Sequence, residues 1–365
     1  MTVAEERVRP TAVESSLLEW RRRRRSYVVT MAVMAGVLVL GAAAGLSLGA
    51  VTVPLVDVWT IVGDHLRGAG DAARSVTGDV IIWQIRAPRV VLAMLVGAGL
   101  AVVGVAVQAM VRNPLADPYV LGVESGAAAG AVAVIYFLGP FSVSLLSPSL
   151  GAFLAALATM ALVFALARSG GRVSSLRLLL VGVALSYGLS SFTSFVLYSS
   201  HDPAAQQQVM FWMLGSLGGA TWSQVPFVLG VVVAGAACYW WWSRRLNALA
   251  LGESQASHLG VNVVLVKRTA IVLTALAVGS LVAATGLIGF IGLVAPHAIR
   301  LACGPDHRIV LPGAALLGAA LMVIADALSR TVVAPADLPI GVLTAALGAP
   351  FFLALLLRRR GQIGL

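Results

Sequence analysis

The chain has 365 residues, 59% of them hydrophobic and 11% charged, with a mean hydropathy of +0.94 and a net charge of +10. Soluble domains carry about 25% charged residues, so a soluble globular protein is excluded, and Cys238 and Cys303, lying in or beside apolar stretches, argue against a disulfide framework or a cysteine metal site. Apolar runs of about 20 residues recur along the whole length, which predicts an all-α, polytopic membrane protein. The arginines gather at the ends of these runs, so the basic balance reads as topology and not as nucleic-acid binding.

Residues 1–25 form a polar tail that ends in the run Arg21 to Arg25. An apolar stretch from Tyr27 to Ala50 comes next. A signal peptide has the same order of features, but its apolar part spans only about 7–15 residues. A retained first helix fits better, with Gly41, Gly45 and Gly49 as a close-packing stripe. Val51 to Arg86 is a polar excursion. A second helix runs from Arg89 to Val111, with Ala93, Gly97 and Ala101 at small-xxx-small spacing. The turn Arg112-Asn113-Pro114-Leu115-Ala116-Asp117-Pro118 breaks it, and Asp117 caps the third helix. The next segments are Tyr119 to Leu138 (with Gly122, Gly126 and Gly130), Leu150 to Ala167 and Leu176 to Tyr198. A second excursion, His201 to Gly219, holds a short helix from Gln206 to Leu214. The sixth segment is Trp222 to Trp242. Beyond a polar island come Thr269 to Ala284, Ile288 to Cys303, Val310 to Ser329 and Ile340 to Leu357.

Ten segments place both termini on one side. With that side cytoplasmic, 20 of the 25 basic residues fall inside and five outside, namely Arg67, Arg74, Arg86, Arg89 and Arg330, as the positive-inside rule requires. The polar island, residues 244–268, is flanked by Arg244/Arg245 and Lys267/Arg268. Its centre, Leu251 to Gly260, is short, weakly amphipathic and closed by Gly. A protein driven by a cytoplasmic engine needs such a lever; one that only sits in lipid does not. The chain has no GxxxxGK[ST], no HExxH and no Asp-rich magnesium motif, so it has no phosphate-binding loop of its own.

Three groups of residues carry a family resemblance. The first is Trp83-Gln84-Ile85-Arg86-Ala87-Pro88-Arg89 with Gln108 and Arg112 to Gly122. The second is Gly286-Leu287-Ile288-Gly289-Phe290-Ile291-Gly292-Leu293-Val294-Ala295-Pro296-His297 with Asp306-His307-Arg308. The third is Leu338-Pro339-Ile340-Gly341-Val342-Leu343-Thr344 with Leu347 to Phe352. In this order they resemble the permease subunits of ABC importers for iron-siderophores, haem and cobalamin, the FecCD type. The resemblance implies a ten-helix permease domain over residues 26–360, with 1–25 as a cytoplasmic tail, in the cytoplasmic membrane of a bacterium with both termini inside. It implies a second permease subunit, two ATPase subunits that bind ATP and Mg, an extracytoplasmic binding protein, and a metal chelate as cargo, an iron(III)-siderophore first. No cofactor and no catalytic site are expected in this chain.

The resemblance also gives roles. Leu251, Gly252, Glu253, Ser254, Ala256, His258, Leu259 and Gly260 are expected to form the coupling element in a cleft of the ATPase, with Glu253 meeting a basic partner residue. Arg86, Arg89 and Arg330 are expected to dock acidic groups of the binding protein; local pairing with Asp57, Asp79 or Asp337 is the alternative. Tyr187, Ser190, Ser191, Ser194 and Tyr198 keep helical spacing and make one polar stripe, expected to line the pathway with Ser175 at its inner end. Hydroxyls bonded to their own helix would give the same pattern. Asp326 is set to pair with Arg330 one turn on, and His297 reads as a packed side chain and not a metal ligand. A secondary transporter or channel is the rival class; it would need an acid–base relay, for which Asp326 alone is thin.

Overall fold

The computed structural model describes residues 12–49, 51–68, 76–138, 147–169 and 172–359. The helices are α1 (Ala12–Ser47), α2 (Leu55–Leu66), α3 (Thr77–Val111), α4 (Val123–Leu138), α5 (Pro148–Ala167), α6 (Ser175–Ser199), α7 (Pro203–Leu214), α8 (Val225–Trp241), α9 (Ser243–Ala250), α10 (Glu253–His258), α11 (Val263–Thr285), α12 (Ile291–Cys303), α13 (His307–Ser329) and α14 (Ile340–Arg359). The only strands among the described residues are the two-residue pair Arg168–Ser169 and Arg172–Val173, joined antiparallel. Six helices are long and apolar enough to cross a membrane alone: the part of α1 from Arg25, α3, α5, α6, α11 and α13. The bent pair α8–α9 adds a seventh, and α4, α12 and α14 contribute shorter apolar helices. Together they occupy the ten stretches anticipated from hydropathy.

Local chemistry starts these helices where they start. Ser147 Oγ accepts from Leu150 N at 3.2 Å, Asp202 from Ala204 N at 2.9 Å and Asn262 from Leu265 N at 3.0 Å. Each satisfies an amide that the first helical turn leaves open. Asp117 caps as expected, but its helix is the single 3-10 turn Pro118–Leu121, which Gly122 ends at φ 82°. The expected helix from Tyr119 therefore begins at Val123.

Three other boundaries move. The first helix reaches back to Ala12 without a break through the arginine run, so the tail expected over residues 1–25 is helical from that point. The second begins at Thr77, with residues 80–86 wound as a π-helix. That winding accommodates Pro88. In it Ala87 N donates to Ile82 O, five residues back, and the donor that Pro88 lacks leaves Trp83 O free. The indole of Trp222 fills the gap, donating to Trp83 O at 2.7 Å. The seventh segment begins at Val263 and not at Thr269, which takes Lys267 and Arg268 out of the island and into a membrane helix.

Helix α3 is the centre of the bundle, packed by α13, α12, α8 and α11. It approaches α13 backbone to backbone: a side chain at Gly97 would strike Gly318 O, and one at Gly318 would strike Gly97 O. Gly104 meets Gly292 of α12 in the same way. Gly126 and Gly130 meet Thr159 and Gly151 of α5, and Gly41 and Gly45 of α1 face Val323. Small residues make these approaches possible where lipid gives no hydrophobic drive between helices.

Candidate functional site

The polar island folds as two short helices, α9 and α10, ahead of the start of α11. In α9, Leu246 and Leu249 are buried, while Arg244 and Arg245 are exposed, Arg245 lying over the Trp242 ring at 5.0 Å. Asn247 anchors this helix to the start of α13: it donates to Asp306 at 2.8 Å and accepts from His307 N at 3.0 Å. Burial pushes the Asp306 carboxyl up, but the Asn247 and Arg308 donors outweigh it and hold it below the usual aspartate range. Nothing in the spacing of Asn247 and Asp306 announces this clamp.

Gly252, at φ 126°, turns the chain from α9 into α10. Ala256 is fully buried, and Leu251 and Leu259 stand 63% and 65% exposed, with Ser254, His258 and Gly260 exposed beside them. Two large apolar side chains left exposed on either side of a helix of six residues form a surface that favours a partner. Glu253, Ser257, His258 and Val264 border a cavity of about 360 Å³ on the same face.

Glu253, expected to meet a basic residue of a partner, already holds one within the chain while staying 35% exposed. Its Oε1 accepts from Lys267 Nζ at 2.6 Å and lies 3.1 Å from Ser175 Oγ. The same ammonium reaches Ser175 Oγ at 3.0 Å, and Ser175 Oγ lies 2.8 Å from Met110 O. Burial raises the Glu253 carboxyl, but the Lys267 contact, the Ser175 hydroxyl and the Arg112 charge together hold it below the usual glutamate range. Ser175 is therefore buried in a contact among four helices, α3, α6, α10 and α11, and not on an open pathway wall.

The stripe on α6 is placed differently. Tyr187, Ser190, Ser191, Ser194 and Tyr198 are all exposed, the tyrosines by 74% and 90%. The opposite face is packed: Gly182 sits against Val120 and Leu121, and Leu178, Thr193 and Val196 are buried. The only charged side chain on the helix is Arg177 near its first turn. No group of three or more potential metal-ligating His, Cys, Asp or Glu side chains occurs among the described residues.

Arg86, Arg89 and Arg330 are turned inward, at 5–6% exposure. Arg89 Nε meets Asp326 Oδ1 at 2.6 Å and Arg330 Nη2 meets Asp326 Oδ2 at 2.9 Å, so one buried carboxylate is shared by two guanidiniums. Arg89 also reaches Asp337 at 2.6 Å and Ser329 at 3.2 Å. Arg330 donates to Gly45 O and Leu48 O, and Arg86 to Leu46 O, Ser47 O and Val51 O. Four of these carbonyls, from Gly45 to Leu48, lie at the end of α1, where open acceptors and the helix dipole both favour a cation. The expected pair Asp326–Arg330 is present, as is the alternative pair of Arg89 with Asp337. A third internal contact links Gln108, Arg300 and Gly292 O between α3 and α12.

The FecCD transport family profile matches residues 37–358. The chain is 45% identical to the hemin transport system permease HmuU of Yersinia pestis over 285 residues, covering 77% of this chain and 84% of that protein. It is 40% identical to the vitamin B12 import system permease BtuC of Escherichia coli over 304 residues, 83% of this chain and 89% of that one. A solved structure described as an inward-facing conformation of a metal-chelate type ABC transporter superposes with a TM-score of 0.77 at 31% identity, over 90% of this chain and 98% of that one. The chain belongs to the FecCD transport family: it is an all-helical membrane permease of the type II ABC importer fold, and ATP hydrolysis belongs to other subunits.

Proposed function

We propose that this permease carries a metal-centred chelate inward across a bacterial cytoplasmic membrane, paired with a second permease subunit, two ATPases and an extracytoplasmic binding protein. The observation that carries the reading is the exposed stripe Tyr187, Ser190, Ser191, Ser194 and Tyr198 on α6. Five hydroxyls in a row are poorly matched to lipid. They suit a water-accessible path shared with a second copy. A wall of phenols and hydroxyls without a metal-ligand set passes a chelate whose metal is already saturated. Recognition of the cargo then rests with the binding protein.

The similar permeases named for hemin and for cobalamin or vitamin B12 favour a metal tetrapyrrole over the iron(III)-siderophore anticipated from the sequence. On the cytoplasmic face, with both termini on that side, Leu251, Ser254, His258, Leu259 and Gly260 form the contact with the ATPase, and Gly252 and Ala256 set the turn and seat of α10. The test is uptake by vesicles that hold the permease, its ATPase and its binding protein. Hemin, cyanocobalamin and a ferric siderophore are supplied in turn, with and without ATP. Import of hemin or cyanocobalamin that needs ATP and all components supports the reading. Preference for the siderophore overturns the tetrapyrrole assignment, and solute movement by the permease alone without ATP overturns the importer.

A further inference from the structure

The polar contact beneath α10 joins elements that the chain keeps far apart. Ser175 and Glu253 are 78 residues apart in sequence, and Ser175 and Lys267 are 92 apart. Ser175 opens the helix that carries the stripe, and Glu253 opens the helix that offers Leu251 and Leu259. Lys267 comes from α11, which packs along α5 and α3 and so stands on the body of the bundle. A serine hydroxyl has one proton to give. Accepting from Lys267, it donates either to Met110 O or to Glu253, and so has two arrangements of nearly equal length, 2.8 and 3.1 Å.

We infer that Lys267 is a positioning residue for energy coupling: its ammonium, held by Glu253 and Ser175, straps the ATPase-facing helix α10 to the foot of the pathway helix α6, so that a shift of one is delivered to the other. This rests on the importer reading above. A rigid-body movement passes between elements through groups with discrete arrangements that both elements bias. The covalent path between α10 and α6 runs back through α9, α8 and the excursion holding α7, and the packed path passes by way of α9 and α3; the Lys267 strap is the direct polar one. Lysine suits the task because a compact charge on a flexible stem follows a displaced carboxylate. The lysine side chain is fully buried while the Glu253 carboxylate stays 35% exposed, so the bond is charge-assisted and shielded from water on the lysine side.

The experiment uses the complete importer in vesicles, with hemin as the probe, and reads ATP hydrolysed per hemin imported. Lys267→Met is expected to assemble and hydrolyse ATP while this ratio rises about three- to thirty-fold, the range typical of substitutions along a coupling route. Ser175→Ala removes the other end of the strap without leaving an unpaired charge and is expected to move the ratio the same way. Ser175→Thr keeps the hydroxyl and is expected to restore it. A wild-type ratio in Ser175→Ala overturns the inference, as does a parallel loss of hydrolysis and import in both variants. Absence of ATP-dependent import by the wild type, with any of the three cargoes, sinks the importer reading itself and is distinguished by needing no variant.

Discussion

Arg86, Arg89 and Arg330 defy the charge trend of the chain, and the sequence marks them as unusual without showing which way they face. Their partners are backbone carbonyls or residues distant in sequence: Arg330 and Gly45 are 285 positions apart, Arg89 and Asp326 237. Asp326 with Arg330, one helical turn apart, was legible because four residues on a helix share a face, and Asp337 was named only as one of three possible local partners. Asp326 fully buried between two cations is the severest commitment here. Replacing it by Asn leaves Arg330 without a carboxylate and Arg89 with Asp337 alone, and the expected loss is about 3–5 kcal/mol, read as a lower thermal midpoint of the purified permease. Arg86→Met keeps the apolar stem but abandons the carbonyls that end α1. Destabilisation of about 1–3 kcal/mol with unchanged affinity for the binding protein is expected; lost affinity with an unchanged midpoint would return Arg86 to the docking surface.

At the scale of single elements, hydropathy found every long helix, since a stretch that must bury its backbone in lipid has to be continuous and apolar. It misplaced ends wherever compensation came from elsewhere. The helix was expected to start at Arg89, just after Pro88, because the π-helix before it and the Trp222 indole that rescues Trp83 O lie outside any local pattern. Lys267 was taken for the flank of a loop because a charge counts against a membrane helix; its carboxylate partner lies 14 residues back. The stripe on α6 was legible because spacing alone puts five hydroxyls on one face. Ser190→Leu with Ser194→Leu is expected to lower import about tenfold, the equivalent of ~1.4 kcal/mol, while the permease still purifies intact. Undiminished import in that variant would mean that the face meets lipid.

For the whole molecule, the bundle is assembled by absence of side chains. α3 touches α13 and α12 through Gly97, Gly318, Gly104 and Gly292, and the resulting backbone approach leaves no volume for relaxation. Gly97→Leu is expected to abolish folded protein outright, seen as aggregation on size-exclusion chromatography; a monodisperse variant would show that the two helices have room to separate. The spacing of Ala93, Gly97 and Ala101 foretold a packing stripe, but not that α13 would fill it, since order in sequence does not give neighbours in a bundle.

Lys267 is the only lysine in the chain, and its ammonium has no exposed surface. The folded permease therefore offers no side-chain amine to acylating reagents. Any side-chain amine adduct reports, at a single known atom, that Lys267 has left its contact with Glu253 and Ser175. A reagent of this kind turns the chain's poverty in lysine into a built-in chemical probe of that exposure, readable by mass without introducing a label.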